Sequence, residues 1–291
     1  MLKTLIIVGI IMGCVYGLIG LGYSIIYKAS GIMNLAQGEM ITMAAFLGYT
    51  FNTICGLPYW ISLVLTLVAM FFFGVFIQSG LVANYQKRGV TGVYMILITF
   101  GLSRVMNGTE AVIFGSNPRR FESIFTMSTV ELLGARMPPE RVMCLFLAVA
   151  AMLFVHLFMT KTQTGIGMQA CAMHPKAAEA CGINVVRSNA ITWGLASLVA
   201  GLCGMMLGPT YGLTLTLGAG LSQMGFASSV SGGMGNIYGA IIGGIIIGLV
   251  ESLVGGYVNP MMKSLVAYIV LFVILAVRPT GLFNETTVRD V

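Results

Sequence analysis

Four polar side chains stand close together in a stretch that is otherwise apolar: Ser30, Asn34, Gln37 and Glu39. The first three are spaced i, i+4 and i+7, which predicts one shared helical face, while Glu39 points towards the face of Thr42. Gly31 and Gly38 would break or narrow such a helix. Polar groups within a membrane mark pathways or contacts between helices. Two interpretations stay open: a broken helix that lines a translocation path, and a set of interhelical hydrogen bonds.

The elements that must position these side chains are apolar. Of the 291 residues, 57% are hydrophobic and only 8% are charged, against about 25% in a soluble domain. A soluble fold of this size needs a charged surface, whereas lipid solvates apolar side chains. We therefore predict an all-α fold, a polytopic bundle of transmembrane helices forming a single domain over residues 1–291. The formal net charge of +6 is assigned to loops that set orientation rather than to nucleic-acid binding.

Apolar runs of about 20 residues predict eight membrane spans. They are Thr4–Tyr27, Gly31–Phe51, Pro58–Val82, Thr91–Phe114, Val142–Thr160, Ala190–Thr210, Ile237–Gly256 and Lys263–Val277. The stretch Thr214–Gly232 is rich in Gly, Ser and Thr, and it either crosses or enters and returns. The number of spans is therefore eight or nine.

Basic residues in two loops suggest the orientation. The loops Tyr85–Val90 and Lys161–Asn189 are both basic and are assigned to the cytoplasm. The loop Gly115–Arg141 between them must then face outward, although it also carries arginines. The sequence alone does not settle the side of each terminus.

Three further charged residues fall within or near the ends of apolar runs: Arg104, Glu110 and Glu251. We interpret them as structural ion pairs or interface residues rather than as a proton relay, which would need more acids or histidines. The six cysteines form no C-x-x-C pair and predict neither a disulfide framework nor a metal site. Small residues at helical spacing predict close helix packing, as at Gly235, Gly239, Gly243 and Gly248.

The loop over residues 161–189 contains the signals of a short helix. Pro175 suits a first helical position, strong helix formers follow over Lys176–Cys181, and Gly182 suits the residue just after a helix. A short cytoplasmic helix between two spans is well placed to contact a soluble partner. An ordinary connecting loop is the alternative interpretation.

Four segments in order along the chain resemble the permease subunit of the branched-chain amino acid class of ABC importers. They are GCVYGLIGLGYSIIYKASGIMNLAQGEM (Gly13–Met40), GINVVR (Gly182–Arg187), SSVSGGMGNIYGAIIGGIIIGLVES (Ser228–Ser252) and RPTGLF (Arg278–Phe283). The family's Asn-Phe-Ala-His-Gly-Glu core has Leu35 in place of Phe and Gln37 in place of His. Gln37 still forms hydrogen bonds but cannot become cationic near neutral pH. Met168 and Gln169 stand where the family has arginines before its short helix.

The resemblance implies a multi-pass permease of the bacterial cytoplasmic (inner) membrane that translocates branched-chain or related small amino acids. Its partners would be a second homologous permease subunit, two cytoplasmic ABC ATPase subunits and an extracytoplasmic solute-binding protein. The loop 161–189 would be the ATPase-coupling loop, through Gly165, Gly167, Pro175, Ala178, Glu179 and Gly182. ATP and Mg²⁺ would be used by the partners, because this chain contains no G-x-x-x-x-G-K-[ST] phosphate loop. No catalytic role and no cofactor bound by this chain are expected.

Other functions stay open at this point. Members of this class also carry urea, short amides and other small solutes, so the substrate is not determined, nor is the choice between a homodimer and a heterodimer. A self-sufficient secondary transporter is a different class of protein, which would move its substrate without ATP. A non-transporting membrane scaffold or receptor is the third.

Overall fold

The computed structural model describes residues 2–88, 90, 92–121, 129–132 and 135–283. Most of these residues are helical, and a two-stranded antiparallel hairpin interrupts the helices. The elements are α1 (Leu2–Ser30), α2 (Gln37–Tyr49), α3 (Tyr59–Phe76), α4 (Ala83–Lys87), α5 (Val93–Phe114), β1 (Val130–Leu132), β2 (Ala135–Met137), α6 (Pro139–Lys161), α7 (Gln163–Met173), α8 (Pro175–Ala180), α9 (Val185–Tyr211), α10 (Leu217–Gly232), α11 (Ile237–Tyr257) and α12 (Lys263–Val277). Short π-helical turns extend α2 and α3 over Thr50–Ile54 and Ile77–Val82, and a 3₁₀ turn at Pro260–Met262 precedes α12.

Helices α1 and α9 form the centre of the bundle. Most of the residues of both are buried, including Trp193 of α9, which has no exposed surface. Helices α2 and α3 pack on α9, and α10 and α11 pack on α1. The apolar side chains of α5 and α12 are largely exposed, as on helices that face lipid or another subunit.

Close contacts give the relative directions of the helices. Gly9, Gly13 and Gly17 of α1 meet α11 in reverse order, so these two helices are antiparallel. Gly20 and Ser24 of α1 meet Gly225 and Ser229 of α10 in the same order, so α1 and α10 are parallel. Helix α10 is one continuous helix over Leu217–Gly232 and, because it is parallel to α1, it runs towards the same end of the bundle as α1 does.

The connections consequently gather at two opposite ends. One end, called here the coupling face, holds the end of α1 at Ser30, the α6–α9 connection, the α10–α11 turn and the end of α12. After α12, the backbone N–H groups of Leu282 and Phe283 donate hydrogen bonds to the carbonyls of Ser231 and Gly232 at the end of α10. The opposite face holds the β-hairpin and Arg119, which pairs with Leu213 through backbone hydrogen bonds just before α10. The two basic loops assigned to one side by the sequence both lie on the coupling face, because α3 runs antiparallel to α9.

Five helices of the described chain are long and apolar enough to cross a membrane: Leu2–Ser30, Tyr59–Gln86, Pro139–Lys161, Val185–Tyr211 and Ile237–Tyr257. The all-α membrane bundle predicted from composition is thus confirmed. The predicted second span is corrected at its start, since the chain is not helical between Gly31 and Ala36 and α2 begins at Gln37. Thr91, the predicted start of the fourth span, lies outside the described residues.

The glycine ridges divide between two neighbouring helices. Gly239 and Gly243 of α11 face α10, while Gly244 and Gly248 face α1, and each lies so close to a backbone that no larger side chain fits without movement. The prediction that Gly235 belongs to the glycine ridge is wrong, because Gly235 lies before α11, in the α10–α11 turn, beside Tyr27 and Lys28. A spacing of four residues from Gly239 thus did not place Gly235 on the same helix.

Candidate translocation site and coupling loop

The polar stretch that follows α1 forms a break between two helices. Helix α1 ends at Ser30, whose hydroxyl donates to Ile26 O at 2.8 Å, within its own helix. Gly31 adopts a φ of 68°, a left-handed conformation that residues with a Cβ adopt only with strain, and this ends the helix. The predicted face of Ser30, Asn34 and Gln37 is therefore wrong, because the three residues lie at a helix end, in a non-helical segment and at a helix start.

Asn34 and Gln37 hold this break in place. Asn34, only 1% exposed, accepts a hydrogen bond from Ala36 N at 3.1 Å and donates to Gln37 Oε1 at 3.4 Å. Gln37, which has no exposed surface, donates from Nε2 to Ala196 O of α9 at 3.3 Å. Buried polar groups need such partners, so the two amides tie the non-helical segment to the central helix α9.

Helix α5 holds the other side of the break. Thr99 Oγ1 accepts from the Leu35 backbone N–H at 3.3 Å, and its single proton is shared between Met33 O at 3.1 Å and Ile96 O of its own helix at 2.9 Å. Thr99 is completely buried. These hydrogen bonds hold the broken segment between α9 and α5, at a place where a membrane interior supplies no water to replace them.

Glu39 points towards α5. Its two carboxylate oxygens accept hydrogen bonds from Ser103 Oγ at 3.4 Å and from Asn107 Nδ2 at 3.2 Å. Asn107 also donates to Leu215 O at 3.1 Å, just before α10. Thr42 instead faces α10 and accepts from Gly218 N at 3.0 Å, so Glu39 and Thr42 contact different neighbours. Ser103 and Asn107 share a face of α5 at i, i+4, a spacing that the sequence shows but that the sequence reasoning missed.

A cleft of about 290 Å³ opens beside Glu39, between α5 and α12. We call it the α5–α12 cleft. Residues of α1, α2 and α10 also line it, and Gln223 of α10 accepts a 2.8 Å hydrogen bond from Tyr268 of α12. Its polar lining is Glu39, Ser103, Arg104, Ser222, Gln223 and Tyr268, and its apolar lining includes Tyr23, Leu35, Phe100 and Phe226. Of the four path residues predicted from the sequence, the cleft is lined by Glu39 and not by Ser30, Asn34 or Gln37.

Among the described residues, the other charged residues singled out within apolar helices, Arg104, Glu110 and Glu251, form no ion pair, which was one of the two interpretations drawn from the sequence. Arg104 is exposed, and its guanidinium lies 5.0 Å from the centre of the Phe100 ring. Glu110 is completely buried, and within the described structure neither of its carboxylate oxygens has a hydrogen-bond partner. One carboxylate oxygen of Glu251 is also unpartnered there. The interface interpretation of these residues stays a prediction.

The loop 161–189 is almost entirely helical. Helix α7 begins after Thr162, whose side chain accepts from Gly165 N at 3.0 Å, and this turn was not predicted as a helix start. Gly165 packs so tightly on Phe158 and Met159 that a Cβ there would collide with their backbone. Gly167, by contrast, has room for a Cβ in ordinary contact with Ile183.

Helix α8 has the predicted form. Pro175 occupies its first turn, and Gly182 follows its end with a φ of 82°. The backbone N–H of Gly182 donates to Glu179 O at 2.9 Å and that of Ile183 donates to Ala178 O at 3.0 Å, which together form a Schellman motif. Ala178 is buried while Pro175 and Glu179 are exposed, so the helix offers one face outward and anchors the other.

The two positions that depart from the family's arginines face inward. Met168 is 1% exposed, and Gln169 Nε2 donates to Met159 O at 2.6 Å. A groove of about 570 Å³ lies between α7 and the start of α9. Apolar side chains are exposed along the loop, including Ile166 and Met173, with Val186 at the start of α9. This surface is suited to contact with another protein.

Comparison with known proteins shows which family this chain resembles. The family model of the branched-chain amino acid transport system permease component matches residues 5–275. The high-affinity branched-chain amino acid transport system permease protein LivH of Salmonella typhimurium is 28% identical over 245 residues, covering 80% of this chain and 79% of that protein. The permease protein BraD of Pseudomonas aeruginosa is 24% identical, over 80% of this chain and 79% of that protein. An archaeal protein from Methanocaldococcus jannaschii, described as a probable LivH, is 24% identical over 77% of this chain and 71% of its own length.

A solved structure of PsaBC from Streptococcus pneumoniae, in complex with a Fab, is similar with a TM-score of 0.51. The similarity covers 96% of this chain and 92% of that one at 14% sequence identity, so it shows the fold alone. The family match extends over nearly the whole bundle, including the helix break, the α5–α12 cleft and the loop 161–189. The chain belongs to the branched-chain amino acid transport permease family.

Proposed function

We propose that this chain is the transmembrane permease subunit of an ATP-driven ABC importer in the cytoplasmic (inner) membrane, with a branched-chain amino acid as its substrate. The observation that carries the proposal is the α5–α12 cleft, where Glu39, Ser103 and Asn107 place a hydrogen-bonded carboxylate among apolar helices. Such groups are costly in a membrane and mark solute pathways. The named relatives, which are branched-chain amino acid permeases, support the choice of substrate.

The proposal includes nine spans and a defined orientation. The coupling face carries Lys28, Arg88, Lys161, Lys176 and Arg187, so it faces the cytoplasm by the rule that basic loops stay inside. Helix α10 then counts as a ninth span, and the N-terminus lies outside. Two cytoplasmic ATPases would bind the exposed surface of α7 and α8, since both helices lie on that face.

The pathway would be completed by a second permease subunit. The cleft opens between α5 and α12, whose outer faces expose large apolar side chains such as Val112 and Phe272. A second homologous permease placed on this side would close the cleft into a central path, and an extracytoplasmic binding protein would deliver the solute to its outer end. ATP binding and hydrolysis by the partners would then alternate the access.

The experiment is solute uptake by proteoliposomes that contain the purified complex of this permease, its partner permease and the ATPases, with the binding protein outside. We expect ATP-dependent uptake of L-leucine that exceeds the uptake of urea or a short amide. The matched control is the same complex with ATPases that cannot hydrolyse ATP, which should give no uptake. Uptake by this chain alone without ATP would identify a secondary transporter instead, and preferred uptake of urea or an amide would contradict the substrate.

A further inference from the structure

Two opposite charges line the α5–α12 cleft without contacting each other. Glu39 of α2 and Arg104 of α5 both lie on its wall, and they form no ion pair with one another in the described structure. We infer that these two side chains bind the ammonium and carboxylate groups of an α-amino acid zwitterion during its passage. This inference rests on the proposed function and assigns residues to the recognition of its substrate.

Glu39 has unused capacity to accept hydrogen bonds. A carboxylate offers about four acceptor positions, and Ser103 and Asn107 occupy one on each oxygen. Both donors are uncharged, so they orient the carboxylate without neutralising it. An ammonium group in the cleft would supply the missing positive charge through charge-assisted hydrogen bonds, which are roughly twice as strong as neutral ones.

Arg104 lies near the middle of the 22-residue helix α5, where exposure of a guanidinium to lipid is costly. Its side chain lines the cleft and lies over the ring of Phe100, an arrangement that holds the guanidinium by a cation–π contact and leaves its N–H edges available. The planar fork of arginine matches a carboxylate with two parallel hydrogen bonds. A substrate carboxylate would therefore satisfy a charge that has no acidic partner among the described residues.

The rest of the cleft suits an aliphatic side chain. Tyr23 and Phe226 meet edge to face at 5.6 Å between ring centres, and both line the cleft together with Leu35. The volume of about 290 Å³ lies just below the usual range of ligand sites, about 300–1,000 Å³, as expected for a small solute. Urea and short amides carry neither an ammonium nor a carboxylate group for Glu39 and Arg104 to bind, so this pair of residues favours an amino acid over those solutes.

The test compares Glu39→Gln and Arg104→Gln with the wild type in the complete complex, by L-leucine uptake per ATP hydrolysed. A hydrogen bond to a charged group contributes about 1.5–3 kcal/mol, so each variant should lower this ratio about tenfold to one-hundredfold. Glu110→Gln is the matched control, because it replaces a buried acid of α5 that does not line the cleft, and it should keep the ratio. Arg104→Lys retains the charge and should recover part of the uptake.

The outcomes separate the two proposals. Absence of ATP-dependent leucine uptake in the wild-type complex overturns the proposed function, and this inference with it. A wild-type complex that transports leucine while both Gln variants match Glu110→Gln overturns the inference alone. Loss of the partner permease from purified Arg104→Gln would show that Arg104 instead binds that subunit, which also overturns it. Since Arg104 is exposed, its variants test the inference even if Glu39→Gln fails to fold.

Discussion

Replacement of Gly244 by Ala should push the two most extensively packed helices apart. A Cβ at Gly244 would lie 2.5 Å from Gly17 Cα and 2.6 Å from Gly13 O, whereas ordinary van der Waals contact begins at 3.4 Å. All of these neighbours are backbone atoms of α1, so no side chain can rotate away. The helices must separate by most of an ångström, and the loss of packing extends along their whole contact.

The expected cost is that of overpacking, about 1–3 kcal/mol. A destabilisation of 1 kcal/mol lowers the unfolding midpoint by about 2–4 °C in chains of 150–250 residues, so Gly244→Ala should lower it by about 2–12 °C. The assay is the fraction of detergent-purified protein that remains in its size-exclusion peak after heating. Because membrane proteins unfold irreversibly in such assays, all variants are heated at the same rate.

Gly108→Ala is the matched control for this substitution. Gly108 lies within α5, and among the described residues no atom of another element lies within 4 Å of the position of a Cβ there. Alanine is a better helix former than glycine by about 0.8–1.0 kcal/mol, so this variant should be as stable as the wild type or more stable. Equal midpoints for Gly244→Ala and Gly108→Ala would refute the assignment of Gly244 to a tight contact with α1.

The remaining predictions concern the helix break and the coupling loop. Asn34→Leu should lower leucine uptake at least about tenfold more than it lowers expression, because the hydrogen bonds of Asn34 order the break beside Glu39. Ser30→Ala, the control, should change neither uptake nor expression. Equal losses of uptake and expression in Asn34→Leu would favour a packing role. Gly31→Ala should cost about 1–2 kcal/mol in stability, since its φ of 68° is strained for alanine, and an unchanged unfolding midpoint would contradict this. Gly182→Ala should weaken co-purification of the ATPases several-fold while membrane insertion is unchanged, because the Schellman end of α8 would shift. Gly108→Ala, on α5 and outside the loop, is the control that should retain the ATPases, and equal co-purification by the two variants would count against the coupling role.

The helix break at Gly31 explains why the site looks different in sequence and in space. Spacing alone put Asn34 and Gln37 on one helical face with Ser30. The fold instead uses the two amides to fasten a non-helical segment to α9, through the carbonyl of Ala196, 159 residues further along the chain from Gln37. Only Glu39 of the polar stretch reaches the cleft, so its function is separated from that of its neighbours.

The sequence by itself determined the class of the molecule and its local signals. Composition predicted a bundle of membrane helices, because so few charges cannot cover a soluble surface. Pro175 and Gly182 predicted the ends of α8, since a fixed φ and a left-handed φ are properties of single residues that act over one helical turn. The four motifs also identified the family, which the match over residues 5–275 confirms.

Only the tertiary structure decided which polar residues meet. Glu39 accepts a hydrogen bond from Asn107, which lies 68 positions further along the chain. Arg104 lines the same cleft from α5, and the sequence does not specify how that helix is rotated about its axis. The structure likewise decided that Thr214–Gly232 contains a single helix parallel to α1, and that Gly235 belongs to a turn. The physical reason is the same in each case: in an apolar helix every face is compatible with burial, so periodicity cannot select a face, and the close packing of glycine-rich backbones selects it instead.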